Sequence, residues 1–95
     1  MIIGALELDL YLPEVRSLKE KRSVLKSLLA RLRNTFNVAA AEVDKQDVWQ
    51  SAVIGVATVT NSTRHADQIM NNAIHWIEDN YPQLMIVNHT SEIIS

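Results

Sequence analysis

The residues best placed to do chemistry in this chain are cations at regular intervals: Lys19, Arg22, Lys26 and Arg33. On a helix, at about 100° per residue, all four fall within an arc of about 60°. Arg16 just upstream and Lys21, beside the apolar arc, add to the positive field. A row of cations on a rigid element suits a phosphate backbone, because each contact releases condensed counterions. The plainer reading is a solvated face whose aliphatic stems shield the core. Residues 16–33 carry seven basic residues and one acid, a net of +6, and the rest of the chain carries two basic and ten acidic residues, a net of −8.

A second stretch, Glu42-Val-Asp44-Lys45-Gln-Asp47-Val-Trp49-Gln50, sets an aromatic among carboxylates and amides. In a loop, Asp44, Lys45, Asp47 and Trp49 could grip a ligand or a partner. Alternatively, Trp49 folds back over the core edge and spends its indole N–H on a backbone carbonyl. Two carboxylate pairs, Glu7 with Asp9 and Asp44 with Asp47, have the residue types for acid–base or divalent-cation work but no pocket to work in. His65, His75 and His89 match no metal-ligand spacing. Gly4 and Gly55 stand alone, which excludes a phosphate-cradling glycine loop. There is no cysteine, hence no thiolate nucleophile, thiolate metal site or disulfide frame. The expectation is a binding protein without metal or cofactor, not an enzyme.

The elements that must carry these residues follow from periodicity. Residues 2–12 alternate, with Ile2, Gly4, Leu6, Leu8, Leu10 and Leu12 on one side and Ile3, Ala5, Glu7, Asp9 and Tyr11 on the other, which predicts a strand stopped by Pro13. Ser17-Leu-Lys-Glu20 reads as a capping box opening a helix over 18–34, with Leu18, Leu25, Leu28, Leu29, Leu32 and Phe36 on its apolar side. Asn34 or Asn37 would serve its exit, since asparagine tolerates left-handed geometry. Residues 38–43 and 52–59 predict two strands joined by the polar loop. Asn61-Ser62-Thr63 offers caps for a second helix with Ala66, Ile69, Met70, Ala73, Ile74, Ile77 and Tyr81 inward, ended by Pro82. Residues 84–94 predict a last strand.

The order β-α-β-β-α-β predicts a ferredoxin-like α+β domain: a four-stranded antiparallel sheet, strands 1 and 3 central, two helices on one face. At 95 residues, 47% hydrophobic and 21% charged, the chain has room for one core and the composition of a globular one. No apolar run approaches the roughly 20 residues needed to span a bilayer. Met1-Ile2-Ile3-Gly4 lacks the basic start of a signal peptide, so a cytoplasmic protein is expected.

Two helices cover one sheet face, yet the third strand is apolar on both. Something should therefore cover the open face or an edge strand, and a second copy is the simplest candidate. Base stacking on the sheet would need aromatics on the central strands. The third strand has none, and Tyr11 shares its side with Glu7 and Asp9. Any RNA would meet the helix instead.

Ser17-Leu-Lys-Glu-Lys-Arg22, Val24-Leu-Lys-Ser-Leu28, Phe36-Asn-Val38, the Glu42–Gln50 stretch and Gly55-Val-Ala57 together resemble the YlxP-like family of small bacterial domains of unknown function. The likeness runs over nearly the whole chain. It implies a ferredoxin-like fold in a bacterial cytoplasm and carries no activity with it. Members are often encoded near transcription and translation factors, which implies a connection to RNA or the ribosome. The residues favour a non-enzymatic accessory protein that binds structured RNA or a ribosomal surface through Arg16, Lys19, Arg22, Lys26 and Arg33. The alternative is a structural or regulatory homo-oligomer with a small-molecule or protein site near the Trp49 loop.

Overall fold

The structure, a computed structural model, describes all 95 residues. Its elements run β1 (Ile2–Tyr11), α1 (Leu18–Thr35), β2 (Ala39–Asp44), β3 (Ser51–Thr60), α2 (Thr63–Asn80) and β4 (Met85–Ile94). The strands form one antiparallel sheet in the order β2-β3-β1-β4, the ferredoxin-like arrangement, with β1 and β3 central. Both helices lie on one face, as crossovers of uniform hand require.

The alternation in β1 decides which face is buried. Leu6, Leu8, Leu10 and Leu12 point under the helices and are buried, while Glu7 and Tyr11 face out. Against them pack Leu25, Leu28 and Leu32 of α1, Ala66, Met70, Ala73 and Ile77 of α2, and Ile54 and Val56 of β3. Burying each large aliphatic side chain contributes about 1.5–3 kcal/mol.

Two local devices set how closely the layers approach. A Cβ on Gly4 would meet Thr58 Cγ2 at 3.2 Å, Ala66 Cβ at 3.3 Å and Met70 Sδ at 3.3 Å, so any side chain there would ask these neighbours to give by a few tenths of an ångström. The helices are joined at their other ends by aromatics. Trp76 meets Phe36 edge-on at 6.2 Å and tilts against Tyr81 at 5.9 Å. The Arg31 guanidinium lies over both rings, 5.1 Å from Trp76 and 5.2 Å from Tyr81, and donates to the Tyr81 hydroxyl at 3.1 Å.

Both N-caps are as expected. The Ser17 hydroxyl accepts from Glu20 N at 3.1 Å and the Ser62 hydroxyl from His65 N at 3.2 Å. The exit of α1 differs from expectation. Neither Asn34 nor Asn37 turns left-handed; Phe36 is extended, donates its N–H to Leu32 O at 2.9 Å, and leads straight towards β2. The one non-glycine residue with positive φ is Lys45, at 60°. The chain leaves the helix already heading along the sheet and needs no reversal there. It does need one between β2 and β3.

Candidate functional site

The outer side of α1 presents Lys19, Arg22 and Lys26 to solvent, with Arg16 exposed just ahead of the cap. They are exposed because the leucines at helical spacing turn the opposite side inward. Lys19 and Lys26 lie about 10 Å apart along the axis, with Arg22 between them. Glu20 is the only acid in the helix, and it is spent at the cap, where its Oε2 accepts from Arg16 N at 3.1 Å. The chain's two ion pairs lie elsewhere, at Lys21–Glu42 and His75–Glu78. Arg16, Lys19, Arg22 and Lys26 therefore form a row that makes no ion pair, with Glu20 the one acid of the helix beside it.

Two cations expected to add to this field do something else. Lys21 is fully buried. Its Nζ donates to Lys45 O at 2.6 Å and to Val48 O, and pairs with Glu42 Oε2 at 2.8 Å. It contributes nothing to the surface potential, because its helical position faces the sheet and a carboxylate on β2 answers it. The Glu42 contact is an ion pair rather than an aligned hydrogen bond, and Oε2 has no other partner. Arg33 remains exposed but is engaged, donating to Ala40 O of β2 at 2.7 Å. It braces an edge strand as much as it extends the row.

Lys21 also explains the loop. The β2–β3 connection must place two carbonyls on one ammonium, and left-handed Lys45 allows it. Asp44 Oδ1 accepts from Lys45 N at 2.8 Å, and Val48 N donates to Lys45 O at 3.1 Å. Asp44, Lys45 and Asp47 end up exposed. Trp49 does not fold over the core edge: it stands 45% exposed beside exposed Val48. The tryptophan at the core edge is Trp76. Lys21 thus fastens the β2–β3 loop to the sheet-facing side of α1, not to the side that carries the row.

The open face of the sheet holds a broad trough of about 680 Å³. Its floor is small, with Ala5, Ala39, Ala41, Gly55 and Ala57, and Glu7 and Glu92 stand in it. Neighbouring strands place these small residues in register, Ala5 and Ala39 both opposite Ala57 and Ala41 opposite Gly55. Glu7 and Asp9 lie on this face, opposite Gly55 and Val53. Alternation in β1 and β3 gives the face its polarity, but only the register shows that the small residues coincide. No helix is long and apolar enough to cross a membrane.

Comparison with known sequences places this geometry in a family. The signature described as "Protein of unknown function (DUF503)" matches residues 3–90. A protein of Bacillus subtilis (strain 168) named "Uncharacterized protein YlxP" is 36% identical over 83 residues, covering 87% of this chain and 89% of its own length.

Proposed function

The chain belongs to the DUF503 family, whose function is not known, and from its surface we propose that it is a non-catalytic accessory protein that binds structured RNA or a ribosomal RNA surface along α1. The observation that carries this reading is the row Arg16, Lys19, Arg22 and Lys26, exposed and engaged in no ion pair. Cations that only solubilise a helix usually alternate with acids at i+4 spacing. Only Arg16 has an acid at that spacing, Glu20, whose carboxylate turns to the Arg16 N–H; positions 23, 26 and 30, which follow Lys19, Arg22 and Lys26, are not acidic. A rigid row of this kind tracks phosphates, while the acidic sheet face on the other side of the molecule orients the protein by repulsion.

Labelled structured RNA, titrated at low salt and followed by anisotropy, tests the surface. Arg22→Glu/Lys26→Glu should weaken binding by about tenfold or more, since both phosphate contacts become repulsive. Arg64→Glu makes the same kind of charge change on α2 and should leave affinity nearly unchanged. An equal loss per reversed charge in the two variants would mean that net charge, not this row, is being read.

The exposure of Trp49 favours a second reading, in which Asp44, Lys45, Asp47 and Trp49 hold a protein or small-molecule partner of a homo-oligomer. Thermal shift against a metabolite panel tests the small-molecule form, since a specific ligand raises stability by mass action. Loss of a shift in Trp49→Ala would locate the ligand at the loop.

A further inference from the structure

The two edges of the sheet are treated differently. β2 spans 6 residues, carries an irregularity between Glu42 and Asp44, and has Arg33 bound to its Ala40 carbonyl. Shortness, irregular pairing and a guarding cation are how natural proteins blunt an edge. β4 has little of this. It spans 10 residues, Met85–Ile94, contains no proline, lysine or arginine, and is exposed along almost its whole length. Even His89 and Ser91 are exposed, although they pair with core-facing Leu8 and Leu6. Its one irregularity, opposite the Asp9/Leu10 step, leaves Val87 as an extra residue near the start of the strand, and Asn88–Ile94 stays in unbroken register with β1.

The sequence of this free edge is self-complementary. Around Thr90 it reads Ile86-Val87-Asn88-His89-Thr90-Ser91-Glu92-Ile93-Ile94, two apolar residues, a polar centre, and two apolar residues again. We propose that β4 pairs antiparallel with β4 of a second copy, with the two-fold axis at Thr90, joining two sheets into one of eight strands. In that register His89 meets Ser91 and Thr90 meets Thr90 of the second copy, while Ile93 falls at the irregular Val87 position. Glu92, the strand's only charge, faces Asn88 rather than another Glu92. An isologous contact requires every residue to suit its mirror position, and cross-strand pairs like these are what stabilise a sheet. A shift of two residues along either strand would set isoleucine against polar residues and lose the match.

The sheet-face alternative is weaker on charge. The open face carries Glu7, Asp9 and Glu92 and no cation, so two copies stacked face to face would bring carboxylates together. Pairing at β4 leaves that face open and sets the two troughs side by side, since Thr90 and Glu92 line each trough.

The chain has no cysteine, so single cysteines report the register cleanly. Directly opposed strand residues have Cα atoms about 4.5–5.5 Å apart, inside the range a disulfide needs. Mild oxidation of Thr90→Cys should therefore give a covalent dimer of twice the 10.7 kDa chain mass. Asn88→Cys should not, because its copies lie about 13 Å apart along the ladder at about 3.3 Å per residue. In sedimentation equilibrium the wild type should be dimeric at tens of micromolar. Thr90→Lys, which opposes its own charge, should be a folded monomer by circular dichroism, and mixing it with Thr90→Glu should restore the dimer. A monomeric wild type would overturn the proposal. So would a dimer in which Thr90→Cys fails to crosslink, or in which Asn88→Cys crosslinks as readily.

Discussion

Lys21 shows how much one side chain's partners decide. By sequence it is another cation in a basic segment; in the fold it is buried, holds two loop carbonyls and answers Glu42. The clue was present in its position beside the leucine arc of α1, but the partner lies in a strand some twenty residues on, and only tertiary pairing reveals it. Removing one member of a buried pair strands the other. Lys21→Met should lower unfolding free energy by about 3 kcal/mol in urea titration, and protease should then cut the Asp44–Gln50 loop faster. Lys21→Met/Glu42→Leu should recover part of the loss, because the stranded Glu42 charge is gone while the Lys45 and Val48 carbonyls still lack their donor. If the double variant is no more stable than the single, the ion pair is not what the loop depends on. Trp49 and Trp76 make the complementary point. Composition marks both as large and apolar, but only the tertiary contacts with Phe36 and Tyr81 decide that Trp76 is the packed one.

The elements were almost wholly legible. Alternation fixed β1, the Ser17 and Ser62 caps opened both helices, and Pro13 and Pro82 closed their segments within a residue or two of the observed ends. What periodicity does not carry is the approach between elements. Gly4 sits in an alternating strand as if it were a weak core position, yet it admits Ala66 and Met70 of α2. Gly4→Ala should lower the urea midpoint slightly with unchanged slope, as Thr58, Ala66 and Met70 give way to the added methyl. An unaltered midpoint would show that α2 can shift freely. At the opposite end Arg31, one of the seven basic residues of the 16–33 segment, is a clamp between α1 and α2. Arg31→Lys keeps the charge but loses the planar stack and fork, and should destabilise by about 1 kcal/mol without weakening RNA binding. A fall in RNA affinity there would move the interface round the helix.

For the whole molecule, the two proposed surfaces are compatible. α1 packs over β2, while α2 packs over β1, β3 and β4. Pairing at β4 therefore brings the second helices towards the seam and leaves each α1, with Lys19, Arg22 and Lys26, at the far ends of the joined sheet. One dimer would offer two cationic rows, and a single RNA long enough to reach both would bind far more tightly than a short one. Short and long RNA of equal affinity would argue that the rows act singly. None of this was readable from net charge. An overall −2 conceals a positive helix and a negative sheet face, and it is their separation in space that matters to a polyanion. The salt dependence of RNA binding reads that separation most directly. Measured by anisotropy from about 50 to 200 mM salt, wild-type affinity should fall linearly on logarithmic axes, and Lys19→Gln/Arg22→Gln/Lys26→Gln should give a line shallower by about 2–3 in slope, one increment for each phosphate no longer neutralised. Parallel lines for the two proteins, or no binding by the wild type even at the lowest salt, would contradict an RNA-binding role for α1.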